Sequence, residues 1–260
     1  MICWPRMADL QGRIPARPSY GEGSFHRCIR LERAPGAVRG ELQDDFHHFA
    51  VTLRHDAGRV TEAAGEAHRF PWTTCPGAVD PLRSLSGMPL TRSLLAIARY
   101  TDPRAQCTHL FDVASLAVTL AARPRDSLFY EIQVPDRRGG ATTATLLRDG
   151  EPLLCWRIEG AEVVEPAPFA GRRLHGGGFA DWAESALDPE GAEAALVLRR
   201  AVVIAMGRGY DMDRVPEAKS FASATGIGCY TFHPARVGEA RRIVGSTRDW
   251  SDAPEKLRRA

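Results

Sequence analysis

Cys107 and His109 are separated only by Thr108, where an apolar periodicity begins in "QCTHLFDVASLAV". A thiolate and an imidazole are ligands for zinc and related divalent transition metals, and they also form nucleophile–base pairs. Inside a regular helix, positions two apart diverge by about 200°. The pair therefore converges only if Cys107 sits in a non-helical cap and the helix begins at about Thr108. Cys75 has a similar setting, because Pro76 follows it in "TTCPGAVD" and proline suits the first position of a helix. Free N–H groups and the positive dipole end at a helix start favour thiolate over thiol. Both cysteines are thus expected to deprotonate readily. His47, from "LQDDFHHFAVTLRHD", would add an imidazole, and Asp44, Asp45 and His48 beside it offer a carboxylate ligand or a base.

Spacing alone leaves three readings open. His47, Cys75, Cys107 and His109 hold one metal ion; or Cys107 is a nucleophile with His109 as its base; or the cysteines are small buried hydrophobes among hydrogen-bonded histidines. The spacing is not that of a zinc finger. For Asp44-Asp45 the plainer reading is a solvated turn. "LHGGGF" lacks the strand and lysine that frame a phosphate-binding loop, so it reads as a link. Cys28, Cys155 and Cys229 read as core, and Cys3 lies in a terminal arm.

The elements that must position these residues follow from periodicity and turn chemistry. Residues 1–22, rich in Pro, Arg and Gly, read as a loose arm. Short β-type runs then alternate with turn signals up to Phe70, predicting an antiparallel meander. In the third run Phe49, Val51 and Leu53 share a face with His47 and His55, whereas His48, Thr52 and Arg54 share the other. Helices are predicted from Cys75, over 91–100, and from Thr108 to Arg123. The last has Leu110, Val113, Ala114, Ala117 and Leu120 as its buried stripe. Strands return over 127–135, 141–160 with Asp149-Gly150 as a hairpin turn, and 161–166. Helices are expected at 179–187 and 190–209, a strand at 227–233, and a helix from Pro234 to about Ile243. This order specifies an α+β fold: an antiparallel β meander packed with helices, with a helical C-terminal portion. The reading divides the chain into the arm (1–22), a core carrying the Cys/His site (23–170), and a mainly helical part of the same domain (171–260).

Composition narrows the function. The chain has 260 residues, 25% charged and 44% hydrophobic, with a formal net charge of +2. Its arginine pairs are scattered rather than striped, so no nucleic-acid partner is implied. No run is long and apolar enough to span a bilayer, and the first residues carry no secretory pattern, so no membrane partner and a cytoplasmic location are expected. The six cysteines are then expected to be reduced.

"LQDDFHHFAVTLRHD", "PWTTCPGA", "CTHLFD" and "GCYTFHPAR…GSTRDW" resemble a bacterial family catalogued as a domain of unknown function, over about residues 23–250. The resemblance implies a metal or catalytic role for His47, Cys75, Cys107 and His109, with zinc first among the metals. The corresponding expectation is a metal-dependent enzyme of small-molecule catabolism, with aromatic compounds favoured. A lyase is preferred to a hydrolase, and Asp44, Asp45 or His48 is the base. The alternative is a non-catalytic, metal-stabilised domain that binds or senses a small ligand. An apolar pocket opening on the cysteines would favour the enzyme, and a sealed site the module. A homo-oligomer is compatible with either.

Overall fold

The alternation that begins near Ser24 becomes four consecutive strands, β1 (Ser24–Ala34), β2 (Ala37–Asp44), β3 (His48–Asp56) and β4 (Arg59–Arg69). The computed structural model describes residues 14–176, 178–220 and 229–257. A second meander follows, with β5 (Ser127–Pro135), β6 (Ala141–Arg148), β7 (Glu151–Glu159), β8 (Glu162–Glu165) and β9 (Arg172–Arg173). β5 pairs with β1, joining the two meanders into one nine-stranded sheet of order β4-β3-β2-β1-β5-β6-β7-β8-β9, antiparallel throughout. With its helices this is the α+β architecture that the sequence pattern specifies.

Phe49, Val51 and Leu53 are fully buried, while Arg54 on the other face is exposed. The buried face carries α1 (Thr108–Ala121), which packs across β2 and β3. Gly40 permits this close approach, because a Cβ there would lie 2.6 Å from Val113 Cγ1. Asp149 and Gly150 both take positive φ, as a two-residue hairpin turn requires.

α2 (Phe179–Ala186) leads into α3 (Pro189–Ala205), whose cap Asp188 accepts from the Glu190 and Gly191 N–H groups. Ala194, Val197, Leu198, Ala201, Val202 and Ala205 form its buried stripe. α1 and α3 run antiparallel: Asp112 meets Arg200 at the end nearer the start of α1, and Thr119 and Arg123 meet Glu193 at the other. Among the described residues no helix is long and apolar enough to cross a membrane.

Several local expectations are corrected. The segments Cys75–Leu85 and Leu94–Arg99 wind as 3-10 helices. In the first, Pro81 offers no N–H to an α-helical ladder. Residues 229–233, expected as the end of a strand, form turns; the rest of that expected strand lies outside the described residues. No helix forms over 234–243. Residues 234–239 form turns with local bonds, such as Val237 N–H to the His233 carbonyl, and 241–243 bond distant partners, Thr73 N–H donating to the Arg241 carbonyl, Arg242 N–H to Pro216 and Ile243 N–H to Pro71. Cys155, expected in the core, is exposed, and its neighbour Trp156 is the buried residue of that pair. Within the expected arm, Ile14 is buried and Ala16 bridges Tyr210, while Cys3 lies outside the described residues.

Candidate metal centre

The short link between β2 and β3 is folded by one carboxylate. Asp44 Oδ1 accepts from the backbone N–H of Phe46 and of His47, each at 2.8 Å, and from His47 Nδ1 at 3.1 Å. Its Oδ2 accepts from Arg27, with Nε at 3.0 Å. A carboxylate accepts only, so His47 carries its proton on Nδ1 and presents Nε2 with a free lone pair. Burial by itself would raise the Asp44 pKa. The Arg27 guanidinium, with the hydrogen bond from His47, outweighs it and holds the carboxyl well below the ordinary range.

His109 arrives from the first turn of α1 and stacks on His47, with ring centroids 3.7 Å apart and planes 27° from parallel. Its Nε2 lies 3.8 Å from Asp44 Oδ2, is buried, and has no hydrogen-bond partner among the described residues. Burial lowers the pKa of both imidazoles, so they are neutral at pH 7. One donor atom each from Asp44, His47 and His109 lies within 4.8 Å of the others, and this buried group could hold a metal ion.

Cys107 is extended (φ −69°, ψ 128°) and α1 begins at Thr108. That cap geometry brings Cys107 Sγ within 3.9 Å of His109 Nδ1. Cys75 opens its 3-10 helix and lies 3.3 Å from Thr231 Oγ1. Neither cysteine belongs to the three-residue group. The expected thiolates are corrected as well: burial pushes the Cys107 thiol far up, aided by Cys75 and Cys229, and raises Cys75 despite its bond to Thr231. Desolvating a thiolate costs more here than two helix starts return.

Both thiols, with Cys229, line a cavity of about 120 Å³ that His47 and His109 also face. Phe46, Phe49, Trp72, Val203 and Phe232 supply much of its apolar wall, and half-buried Ile204, Met212 and Tyr230 stand at its rim. Two expected bases are placed elsewhere. His48 alternates to the outer face of the sheet, where it bonds Glu41 and lies against His68. Asp45 is fully buried on Arg208, and burial pushes its pKa up to about 7 against the pull of that arginine. The turn expected to be solvated is therefore a buried one.

Several site residues carried no sequence signal. Arg27 sits in a strand at 1% exposure, and nothing local marks it as the partner of a carboxylate 17 positions on. Thr231 and Phe232 fall in a segment expected to be a strand, which hid their place on the cavity wall.

Residues 33–123 match the family model described as Protein of unknown function (DUF2889). The match covers about a third of the chain. No curated protein matches the chain. The DUF2889 segment is shorter than the reach of the sequence motifs, and it includes Asp44, His47, Cys75, Cys107 and His109. Arg27, Cys229, Thr231 and Phe232 lie outside it, so the DUF2889 segment supplies the donor group and flanking chain completes the cavity.

Proposed function

We propose that the protein is a metal-dependent enzyme acting on a small molecule, with the ion held by Asp44, His47 and His109. The observation that carries this reading is the buried, partnerless Nε2 of His109, beside a second neutral imidazole and a carboxylate, at the edge of an apolar cavity. A buried polar nitrogen without a partner is costly, and native structures retain few of them. A nitrogen–nitrogen–oxygen donor set suits zinc, which would supply Lewis acidity beside the cavity. Such an ion polarises a substrate oxygen.

The apolar wall favours a lyase over a hydrolase, since an elimination needs no water co-substrate and a hydrolase must admit one. It equally favours ring-bearing substrates, aromatic compounds among them. The thiols of Cys75 and Cys107 line the cavity outside the three-residue group. A second reading rests on the crowding of Asp44, whose oxygens already serve Arg27 and three N–H donors. In that reading Asp44 orients His47, and the free Nε2 of His47 is the general base without a metal.

Metal content decides between them. Protein purified without a histidine tag, from cells supplied with zinc, iron and manganese, should carry about one ion per chain by mass spectrometry. His109→Leu should carry none. Metal-free wild-type protein removes the first reading and leaves the second. Metal in both proteins would place the ion elsewhere. An ion that is retained while no small molecule enters the cavity would favour a metal-stabilised module over the enzyme.

A further inference from the structure

Two arginines line the cavity, and both are already committed. Arg200 grips Asp112 through Nε at 2.9 Å and Nη2 at 3.3 Å. Arg242 donates Nε to Asp213 at 2.9 Å, Nη2 to Thr247 Oγ1 at 2.7 Å and Nη1 to the Pro71 carbonyl at 3.4 Å. Behind the wall, Arg27 is matched by Asp44 in the same way. The remaining described wall consists of rings, aliphatic side chains, three thiols, two imidazoles and the hydroxyls of Thr108 and Thr231. Among the described residues, no arginine on this wall is left without a carboxylate partner.

Size sets a second limit. A dry cavity of roughly 150 Å³ holds one benzene molecule. At about 120 Å³ this cavity is nearer in size to a single ring than to a fused system.

We infer that the cavity selects a molecule whose body is uncharged and about the size of one six-membered ring, and that Asp112 and Asp213 set this selectivity by neutralising Arg200 and Arg242. A carboxylate brought into such a wall loses its water and finds no free donor fork in exchange. The same arginines without their aspartates would form an anion site. This substrate class rests on the cavity being the substrate site of the proposed enzyme.

The test uses full-length protein dialysed against a chelator, so that no bound cation attracts an anion. Benzamide and benzoate have nearly the same shape and differ in charge. By calorimetry benzamide should bind and benzoate should bind at least ~100-fold more weakly. Asp213→Asn frees Arg242 and should strengthen benzoate binding about tenfold or more, with benzamide changed less than about threefold. Asp112→Asn should do the same through Arg200 and serves if Asp213→Asn does not fold. Benzoate binding as tightly as benzamide, or no binding of either, overturns the inference. So does an unchanged benzoate affinity in the folded aspartate variants. Metal content is measured separately: a metal-free protein that still prefers benzamide loses the metal reading and keeps this one.

Discussion

Asp44 and Asp45 are neighbours in sequence, both are fully buried, and each meets a buried arginine, yet they belong to different machines. Asp44 faces two stacked imidazoles and, through them, a cavity. Asp45 faces Arg208, which also binds Asp136 through Nε at 2.7 Å and reaches Asp249 at 3.4 Å. Asp136 in turn accepts from the Gly21 and Gly23 N–H groups, and Arg248 N–H donates to the Asp45 carbonyl. Arg208 thus ties the β2–β3 link to the end of β5 and to the C-terminal stretch. A buried charge cluster closed on itself holds a fold together. One that leaves a nitrogen unpaired beside an opening is where a ligand can gain.

The sharpest way to break this comparison is to cut the Arg208 knot. Arg208→Ala strands Asp45 and Asp136 as buried carboxylates and should cost roughly 3–5 kcal/mol in urea unfolding. Metal per folded chain should be unchanged. A loss below about 1 kcal/mol would show that the knot is not structural. Leu198→Ala, an apolar deletion in the neighbouring α3, supplies the scale at roughly 2–5 kcal/mol.

On the Asp44 side the pattern should invert. His109→Leu keeps the volume close and removes an unpartnered buried nitrogen, so stability compared in chelator should shift by less than about 1.5 kcal/mol, while without chelator the ion is lost. A large destabilisation with metal retained would exchange the roles of the two clusters. The thiols sharpen the same side. Because burial raises the pKa of Cys107 and Cys75, little thiolate is present at neutral pH, and iodoacetamide should label exposed Cys155 in native protein. Cys75 and Cys107 should react only after unfolding, as read by mass spectrometry of the peptides. Rapid native labelling of Cys107 would restore a nucleophilic thiol.

The smallest effect belongs to Asp249. Burial opposes its ionisation, but Ser251 and Arg208 hold its carboxyl below the ordinary range. A depressed folded-state pKa adds stability that is present above the unfolded value near 3.9 and fades as pH falls toward the folded one. Asp249→Asn should therefore lose more at pH 7 than at pH 3. At 40% side-chain exposure, solvent screening keeps the difference below about 1 kcal/mol. An equal loss at both pH values would mean that its charge is not what binds the C-terminal stretch.

Local rules reach some of this and not the rest. Strand alternation in 49–53, the turn at Asp149-Gly150 and the helix start at Thr108 each depend on residues within a few positions, and periodicity and cap chemistry are visible there. From the same cap came the convergence of Cys107 with His109. The state of those thiols was not visible, because their pKa is governed by desolvation, which depends on what other segments cover them. His48 and Asp45 look as reactive as His47 and Asp44 in "DDFHH". Only strand pleat and the distant Arg27 and Arg208 separate them.

The sequence by itself determined the α+β class, the inward face of β3, the break between Cys107 and α1, and the presence of His47 and His109 as candidate donors. These follow from patterns of period two and 3.6 and from backbone groups that must be satisfied nearby. Tertiary structure decided that Asp44 joins His47 and His109 in one buried group that could hold a metal ion, that 241–243 bond distant loops instead of coiling, and that both arginines on the cavity wall are paired with aspartates. Each of those outcomes depends on partners far away in the chain, whose burial and ion pairing no local pattern encodes.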